Sequence, residues 1–469
     1  MAQVFDIGMV GLGVMGRNLL LNLADHGFRV IGLDTDLGKV QALKNEGNRD
    51  SVDATTDAKV FLAAQRLPRA IILLVPAGKA VDAVINQLAP DLTPGDLLID
   101  AGNSQFKDTD RRHQELATKR LNFFGMGVSG GESGARHGPS MMPGGPKAAY
   151  DRVRPMLESI AAKVNGEPCV AYIGAGSSGH YVKMVHNGIE YGIMQLLAEV
   201  YDLLHRGVGL TNSELADLFD EWHQGELNSF LMEITAKIFR KLDPKTGKHL
   251  IDVILDVARQ KGTGKWTSQE AMDLQVPLLT IDAAVALRDI SGYDVERAQA
   301  SKLLTYAGPV LSVNKAAFVE QMRNAIYATI LLTYAQGFAM LRKADKVYQY
   351  GLDLASIAKI WRGGCIIRAS MLESFRMAYQ DQPELPNLLL HPKIAEAVIK
   401  RQADLRATIR SAVGLGIPAA GLMNALAYFD AYRSARLPTN LTQAQRDFFG
   451  AHTYERIDEK GPFHTKWEE

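Results

Sequence analysis

Five side chains in one stretch have the types and the spacing to move protons on a small polar molecule. Lys183, His186, Asn187, Glu190 and Tyr191 fall at i, i+3, i+4, i+7 and i+8, so on a helix they share one face two turns long. A lysine can serve as base and a glutamic acid as acid, while His, Asn and Tyr supply hydrogen bonds. The opposite side carries Met184, Val185, Gly188 and Ile189. The bland alternative is a solvated face with a Lys–Glu pair. Solvated faces favour long flexible charges, whereas this one mixes His, Asn and Tyr. Gly179, Gly188 and Gly192 each cost a helix roughly 1 kcal/mol against Ala, which predicts that something packs closely there.

A weak internal repeat, offset by 137 to 139 residues, separates the two readings. Tyr181-Val182 matches Phe318-Val319, Asn187 matches Asn324, and Ile189 matches Ile326. Further on, Trp222-His223-Gln224-Gly225 matches Trp361-Arg362-Gly363-Gly364. In the second copy Lys183 corresponds to Glu320, His186 to Arg323 and Glu190 to Tyr327. The packing positions recur and the polar stripe does not, so chemistry explains the stripe better than packing does.

The elements that must position these residues follow from the rest of the chain. Its 469 residues suffice for two or three domains. Apolar runs at Phe5–Val10, Arg29–Leu33, Ala70–Val75, Leu97–Ile99 and Asn122–Gly127 alternate with helical patterns such as Gly16–His26 and Lys79–Leu88. That alternation predicts a parallel sheet covered by helices. A last strand is expected at Val170–Ile173, before the Gly/Ser-rich turn 174–179. The expected organisation is therefore an α/β Rossmann-like dinucleotide-binding domain over 1–177, a large all-α domain with the internal repeat over 178–436, and a C-terminal tail over 437–469. The uncharged run Ala325–Leu341 falls short of the ~20 residues of a membrane span and reads as a buried core helix. The tail is too polar and too short for its own core, so it is either disordered or packed on another surface.

Composition narrows the classes. Acidic and basic residues balance at 52 each, which gives no support for a nucleic-acid or membrane partner but leaves room for a local basic pocket. Two cysteines, Cys169 and Cys365, suit a reducing compartment and are too few for a thiolate metal site. The 11 histidines are scattered, with no HExxH or clustered carboxylates, so no metal is expected. Val4–Val10 reads as a strand rather than a signal peptide, which points to a cytoplasmic protein.

Gly11-Leu12-Gly13-Val14-Met15-Gly16 follows the first strand and opens a helix, with an acid 21 residues after Gly13 at Asp34. In that context the first glycine permits a tight turn, the second lets backbone approach a pyrophosphate, and the third allows helix–sheet contact. The second strand leads into Asp34-Thr35-Asp36. A carboxylate there accepts bonds from ribose hydroxyls. It would repel a 2′-phosphate by roughly 4 kcal/mol per charge pair at ~4 Å, before screening. Lys39 offsets this in part, and NAD is expected over NADP. Val75-Pro76-Ala77-Gly78 should pass the cofactor. Asp100-Ala101-Gly102-Asn103-Ser104 should lie where nicotinamide and substrate meet, and Gly127-Val128-Ser129-Gly130-Gly131 offers backbone N–H groups to an anion.

With these motifs the chain resembles the long-chain, decarboxylating 6-phosphogluconate dehydrogenases of the pentose phosphate pathway, nearly end to end. The most specific pieces are Gly179–Gly192, Gly127-Val128-Ser129-Gly130-Gly131-Glu132, Gln260-Lys261-Gly262-Thr263-Gly264-Lys265-Trp266-Thr267 and Phe449-Gly450-Ala451-His452-Thr453-Tyr454. The resemblance implies Lys183 as general base and Glu190 as general acid. It implies Asn103, Ser129, Gly130, Gly131, His186, Asn187 and Tyr191 as substrate-binding, and Lys261, Arg288 and Arg446 as holding the substrate phosphate. His452 is similarly placed near the substrate. It further implies that Arg446 and His452 reach across from the partner subunit's tail in a homodimer. Gly11, Leu12, Gly13, Val14, Met15, Gly16, Asp34, Thr35, Asp36, Val75, Pro76, Ala77 and Asn103 are the expected cofactor contacts.

The chain departs from the family pattern at several points. The usual Asn-Arg-Thr is Asp34-Thr35-Asp36, so the family's NADP default gives way to an expected NAD preference. A frequent Lys is Pro76, and Ser133 and Ile193 replace common acids. The segment Asp289-Ile290-Ser291-Gly292-Tyr293 also differs. The main alternative is a non-decarboxylating 3-hydroxyacid dehydrogenase, which would need Lys183 but neither the phosphate clamp nor the tail. A scaffold paralogue should have lost some of Lys183, Asn187 and Glu190. For Lys183 to act as base its proton must be easy to remove. At an unshifted pKa near 10.4, deprotonation at pH 7 costs about 4.6 kcal/mol, so burial and neighbouring charges must set the balance.

Overall fold

The short apolar runs of the first third are strands because both of their faces are covered. In the computed structural model, which describes residues 4–308 and 313–468, β1 (Ile7–Val10), β2 (Val30–Leu33), β4 (Ala70–Leu73) and β5 (Leu97–Asp100) are buried at every position. With β3 (Val52–Thr55), β6 (Asn122–Ser129) and β7 (Ser140–Gly144) they form one sheet in the order β3-β2-β1-β4-β5-β6-β7. The order reverses between β1 and β4, which opens a crevice at the carboxyl ends of those strands. The crossovers use α1 (Val14–Asp25), α2 (Leu37–Glu46), α3 (Ala58–Ala63), α4 (Lys79–Leu88) and α5 (Phe106–Ala117). Around the last strand lie α6 (Gly131–His137) and α7 (Lys147–Ile160).

Two strands of this sheet were not foreseen, and one expected strand does not form. β3 is a half-buried edge strand with Asp53 inside it, too short and polar to stand out as an apolar run. β7 runs antiparallel to β6, so the sheet is mixed rather than wholly parallel. Its Pro143-Gly144 ending mimics a turn. Val170–Ile173 makes only an isolated bridge, Met141 to Val170. Met141 N–H donates to the Cys169 carbonyl at 3.0 Å and Ile173 N–H to the Pro143 carbonyl at 2.8 Å. Pro143 has no N–H to continue the ladder between them.

The second part is helical, as expected. It comprises α8 (Ser178–Asp202), α9 (Asn212–Gln224), α10 (Phe230–Arg240), α11 (Thr263–Asp273), α12 (Leu279–Ser291), α13 (Asp294–Leu303), α14 (Lys315–Tyr348), α15 (Leu354–Ile360), α16 (Met371–Asp381), α17 (Pro392–Leu415) and α18 (Ala420–Tyr432). The repeat is visible as α8-α9-α10 followed by α14-α15-α16, one long helix and two short ones each time. Within Ala325–Leu341 all residues but Tyr327 and Ala339 are buried, so α14 is the core helix the uncharged run predicts. No helix among the described residues is long and apolar enough to cross a membrane.

The tail is ordered around one carboxylate. After α19 (Thr439–Gly450) the chain forms a two-residue hairpin pairing Tyr454–Glu455 with Pro462–Phe463. Asp447 on α19 is fully buried. It accepts hydrogen bonds from the Thr453 and Thr465 amides at 3.0 Å, and from His464 Nδ1 and Trp467 Nε1 at 2.9 Å. Burial alone would raise the Asp447 carboxyl, but the bonds from His464, Thr465 and Trp467 outweigh it and hold the pKa at about 2. A depressed carboxyl stabilises the tail above its ordinary pKa and loses that contribution as pH falls toward about 2. Asp447→Asn should therefore speed proteolytic cleavage beyond residue 437 several-fold, with the melting of the rest of the protein unchanged. Limited proteolysis with mass readout checks this.

Candidate active site

Helix α8 enters the site because its glycines let it lie against backbone. A Cβ added at Gly179 would sit 2.4 Å from the Gly125 and Met142 carbonyl oxygens. At Gly188 it would meet Thr267 at 2.6 Å, and at Gly192 Thr333 at 2.7 Å. The close packing predicted from these glycines is therefore present, against β6, β7, α11 and α14. On the sheet side, a Cβ at Gly127 would lie 2.4 Å from Lys183 Cβ. From Ser178 to Ile193 only Glu190 escapes full burial. The stripe is thus not a solvated face. In the second copy it is: Glu320 and Arg323 pair at 2.6 Å with side chains 53% and 39% exposed.

Buried polar groups require partners, and this stripe supplies its own. Lys183 Nζ donates to Asn187 Oδ1 at 2.8 Å. His186 Nδ1 lies 3.1 Å from the same oxygen and 3.4 Å from Lys183 Nζ. His186 Nε2 lies 3.3 Å from Ser129 Oγ, which itself accepts from the Ile366 amide at 3.4 Å. A neutral imidazole satisfies this chain, with Nδ1–H donating to Asn187 and Nε2 accepting from the Ser129 hydroxyl. Burial, then the charge of Lys183, hold His186 well below its ordinary pKa. Trp361, from the second repeat, stacks edge-on against His186 at 5.6 Å between centroids.

Burial also pushes the two titrating ends of the stripe toward neutrality. It lowers Lys183, against the pull of Glu190, and raises Glu190, against the pull of Lys183 and Arg288. The question left open by the residues alone, which influence wins at Lys183, is answered by desolvation.

The stripe opens onto a cleft of about 870 Å³. Its walls include Met15, the 74–78 and 101–103 loops, Asn187, Glu190, Tyr191, Lys261 and Arg288. Arg288 sits over Tyr191, its guanidinium carbon 3.4 Å from the ring centroid. Ser129, Lys183 and His186 stand just behind this wall through Asn187. Gly130 and Gly131, both at positive φ, begin α6 beside Ser129. Arg446 and His452 do not line the cleft. Arg446 donates to Gln443 on its own helix at 3.0 Å, and His452 meets Phe449 edge-on at 6.0 Å. Arg259 and Trp266 line the cleft and were not foreseen. The run Arg259-Gln260-Lys261 could have signalled the first, as a second cation beside Lys261.

At the other end, the Gly-rich turn has the geometry its sequence predicts. A Cβ at Gly11 would strike the Leu74 carbonyl oxygen at 2.5 Å, and one at Gly16 the Gly11 carbonyl oxygen at 1.9 Å. At Gly13 it would meet no protein atom within 4 Å. Gly11 and Gly16 are thus required by packing, while Gly13 leaves the α1 N-terminus open to close approach by a pyrophosphate, so the turn fits a dinucleotide. Asp34 Oδ2 accepts from the Leu12 amide at 2.8 Å and Oδ1 from the Asp36 amide at 2.9 Å. Lys39 Nζ sits 3.6 Å from Asp34, and Asp36 caps α2 by accepting from Gly38 N at 2.8 Å.

Comparison with known proteins agrees with this layout. Residues 6–174 match the NAD binding domain of 6-phosphogluconate dehydrogenase, and residues 179–467 match the 6-phosphogluconate dehydrogenase C-terminal domain. A Bacillus subtilis protein named 6-phosphogluconate dehydrogenase, NADP(+)-dependent, decarboxylating, is 51% identical over 98% of this chain and 99% of its own. The Escherichia coli decarboxylating 6-phosphogluconate dehydrogenase is 50% identical over the same shares. The solved Plasmodium falciparum 6-phosphogluconate dehydrogenase superimposes with a TM-score of 0.96 at 40% identity, over 98% of this chain and 100% of that one. The chain belongs to the 6-phosphogluconate dehydrogenase family.

Proposed function

We infer that this protein catalyses the oxidative decarboxylation of 6-phosphogluconate to ribulose 5-phosphate and carbon dioxide, with reduction of a nicotinamide dinucleotide. The carrying observation is the buried Lys183–Asn187–His186–Ser129 chain, with Glu190 beside it, facing the cleft onto which the dinucleotide loops open. A bound dinucleotide supplies the hydride acceptor. Lys183, neutral, takes the C3 hydroxyl proton as hydride leaves C3. Protonated, it then returns a proton to the new ketone oxygen as carbon dioxide leaves. Glu190, protonated, delivers a proton to C1 of the resulting enediol while Lys183, neutral again, takes the proton from the adjoining hydroxyl, which leaves the ketone. Burial favours the neutral form of both groups, which is the form each needs at the start. No metal is required, since the ketone accepts the electrons. Lys261 and Arg288, with Arg259 nearby, give the cleft mouth a cationic side suited to a phosphate.

The non-decarboxylating alternative would have no use for that cationic side or for the tail. We assign Arg446 and His452 to the site of a second subunit in a homodimer. In support, α13 has no buried residue, and Leu303 and Leu304 are each 80% exposed, as expected of a face that another subunit covers.

For the dinucleotide, the preference follows from charge. Asp34 is fixed by two backbone amides, Lys39 is engaged with it, and the triplet holds no arginine. We propose NAD over NADP, although the Bacillus subtilis relative is named NADP(+)-dependent. Steady-state kinetics with 6-phosphogluconate should give kcat/KM at least about tenfold higher with NAD, a fraction of the gross repulsion. Equal or better efficiency with NADP refutes it.

Lys183→Arg should lose nearly all turnover, because a guanidinium does not deprotonate near neutral pH. Retention of more than a few per cent of the rate would remove Lys183 from the base role. At pH values where Glu190 has lost its proton its charge raises Lys183, so Glu190→Gln, which cannot ionise, should lower the Lys183 pKa further. The pH at which its amine becomes reactive to acylation should move to lower values, and a shift the other way contradicts the electrostatics. Mixing inactive Lys183→Met and Arg446→Ala proteins should restore about a quarter of wild-type activity, because half of randomly paired dimers then hold one intact site. No recovery after subunit exchange excludes tail sharing.

A further inference from the structure

One buried guanidinium joins the two loops that border the cleft, and nothing in the reaction above uses it. Arg112 on α5 is 1% exposed. Its Nη2 donates to the Gly78 carbonyl at 3.0 Å, at the end of the loop after β4. Its Nε donates to Asp82 Oδ1 at 2.8 Å, in the first turn of α4. Its Nη1 lies 3.3 Å from both Asp100 Oδ2, at the end of β5, and Ser104 Oγ, in the loop that follows. Asp100 closes the circuit. Fully buried, it accepts from Ser104 Oγ at 2.7 Å and from the Gly102 amide at 3.1 Å. The loops touch directly as well, since a Cβ on Gly102 would lie 3.3 Å from the Val75 carbonyl oxygen.

The geometry matches the fork of an arginine and no other side chain. Three nitrogens of a planar group reach four partners on two chain segments, 78–82 and 100–104, which a lysine's single nitrogen cannot do. Pro76, Ala77 and Gly78 of one loop and Ala101, Gly102 and Asn103 of the other line the cleft. Burial raises the stakes of the arrangement, because removing the guanidinium leaves the Asp100 carboxylate without its cation. Asp82 contributes differently. It is half-exposed, a third of its side chain being open to solvent, and it also holds Arg111 at 2.9 Å. Its carboxyl is held below the usual range by the Arg112 bond first, which outweighs a smaller desolvation, with Arg111 adding to the effect.

We propose that Arg112, braced by Asp82, is a positioning residue that sets the spacing of the 75–78 and 101–104 loops and so governs how tightly the dinucleotide is held, without touching it. This rests on the dinucleotide reading of the cleft. The test compares full-length wild type, Arg112→Lys and Asp82→Asn. Binding of the reduced dinucleotide is followed by its fluorescence, steady-state kinetics are measured with 6-phosphogluconate, and melting is measured in parallel. Arg112→Lys should raise the dinucleotide Kd and KM about tenfold and Asp82→Asn about threefold, as expected for weakened charge-assisted bonds. The kcat at saturating dinucleotide should stay within about twofold, since the bonds that hold Lys183 are separate, and the KM for 6-phosphogluconate, which reaches these loops through Asn103 alone, should rise by less than about a third of the dinucleotide effect. Folded variants with unchanged dinucleotide Kd overturn the proposal. So does a common fall in kcat, or a parallel rise in both KM values, either of which marks general loosening. If Arg112→Lys does not fold, the half-exposed Asp82→Asn decides alone. Wild type that binds no dinucleotide would refute the functional reading instead.

Discussion

The site depends on the approach of α8 to the backbone of β6 and β7. Where Gly179 meets the Gly125 and Met142 carbonyls, and Gly127 meets Lys183, no side chain can intervene. That contact carries the lysine ammonium out of water and against the sheet edge of the cleft. Everything else follows from the need to satisfy it. Asn187 must accept from Nζ, His186 must be neutral, and Ser129 must complete the chain to the Ile366 amide. A looser contact would let water reach Lys183, and its pKa would relax toward that of a free amine.

The duplicated helix shows what the same packing does without that demand. α14 keeps the aromatic and aliphatic anchors of α8 and lies deep in the core. At the positions of the stripe it carries Glu320 and Arg323 in a solvent-facing pair, and Tyr327 under the Arg401 guanidinium at 4.0 Å. The second unit nevertheless serves the first. Trp361 walls in His186, and the turn after α15 brings Ile366 to Ser129. The active site is therefore made on one repeat and closed by the other.

Much of this was legible in the residues. The Gly-rich turn, the carboxylate at the end of β2 and the helical stripe are local patterns whose spacing is itself the signal. What could not be read was anything set by distant chain. Arg112 looks like one more charge on an amphipathic helix, yet it is buried because Gly78 and Asp82 at the start of α4 and Asp100 at the end of β5 converge on it from two other segments. The direction of the Lys183 shift also needed burial that no single stretch encodes. Arg446 and His452 were known only through the family resemblance, and their place outside the cleft of their own chain is why spacing alone gave no hint of them.

The two strands of the seven-stranded sheet that escaped notice are also its two edges. β3 carries Asp53, whose carboxylate takes the Ala54 amide at 2.8 Å and the Lys44 ammonium at 2.8 Å. β7 carries Pro143, and its outer side is met by the 169–173 segment. Acid and proline disguise a strand because they spoil the features by which another strand would pair with it. The rims of this sheet are thereby guarded against templating growth from neighbouring molecules, a safeguard of solubility written in the same residues that made the strands hard to see.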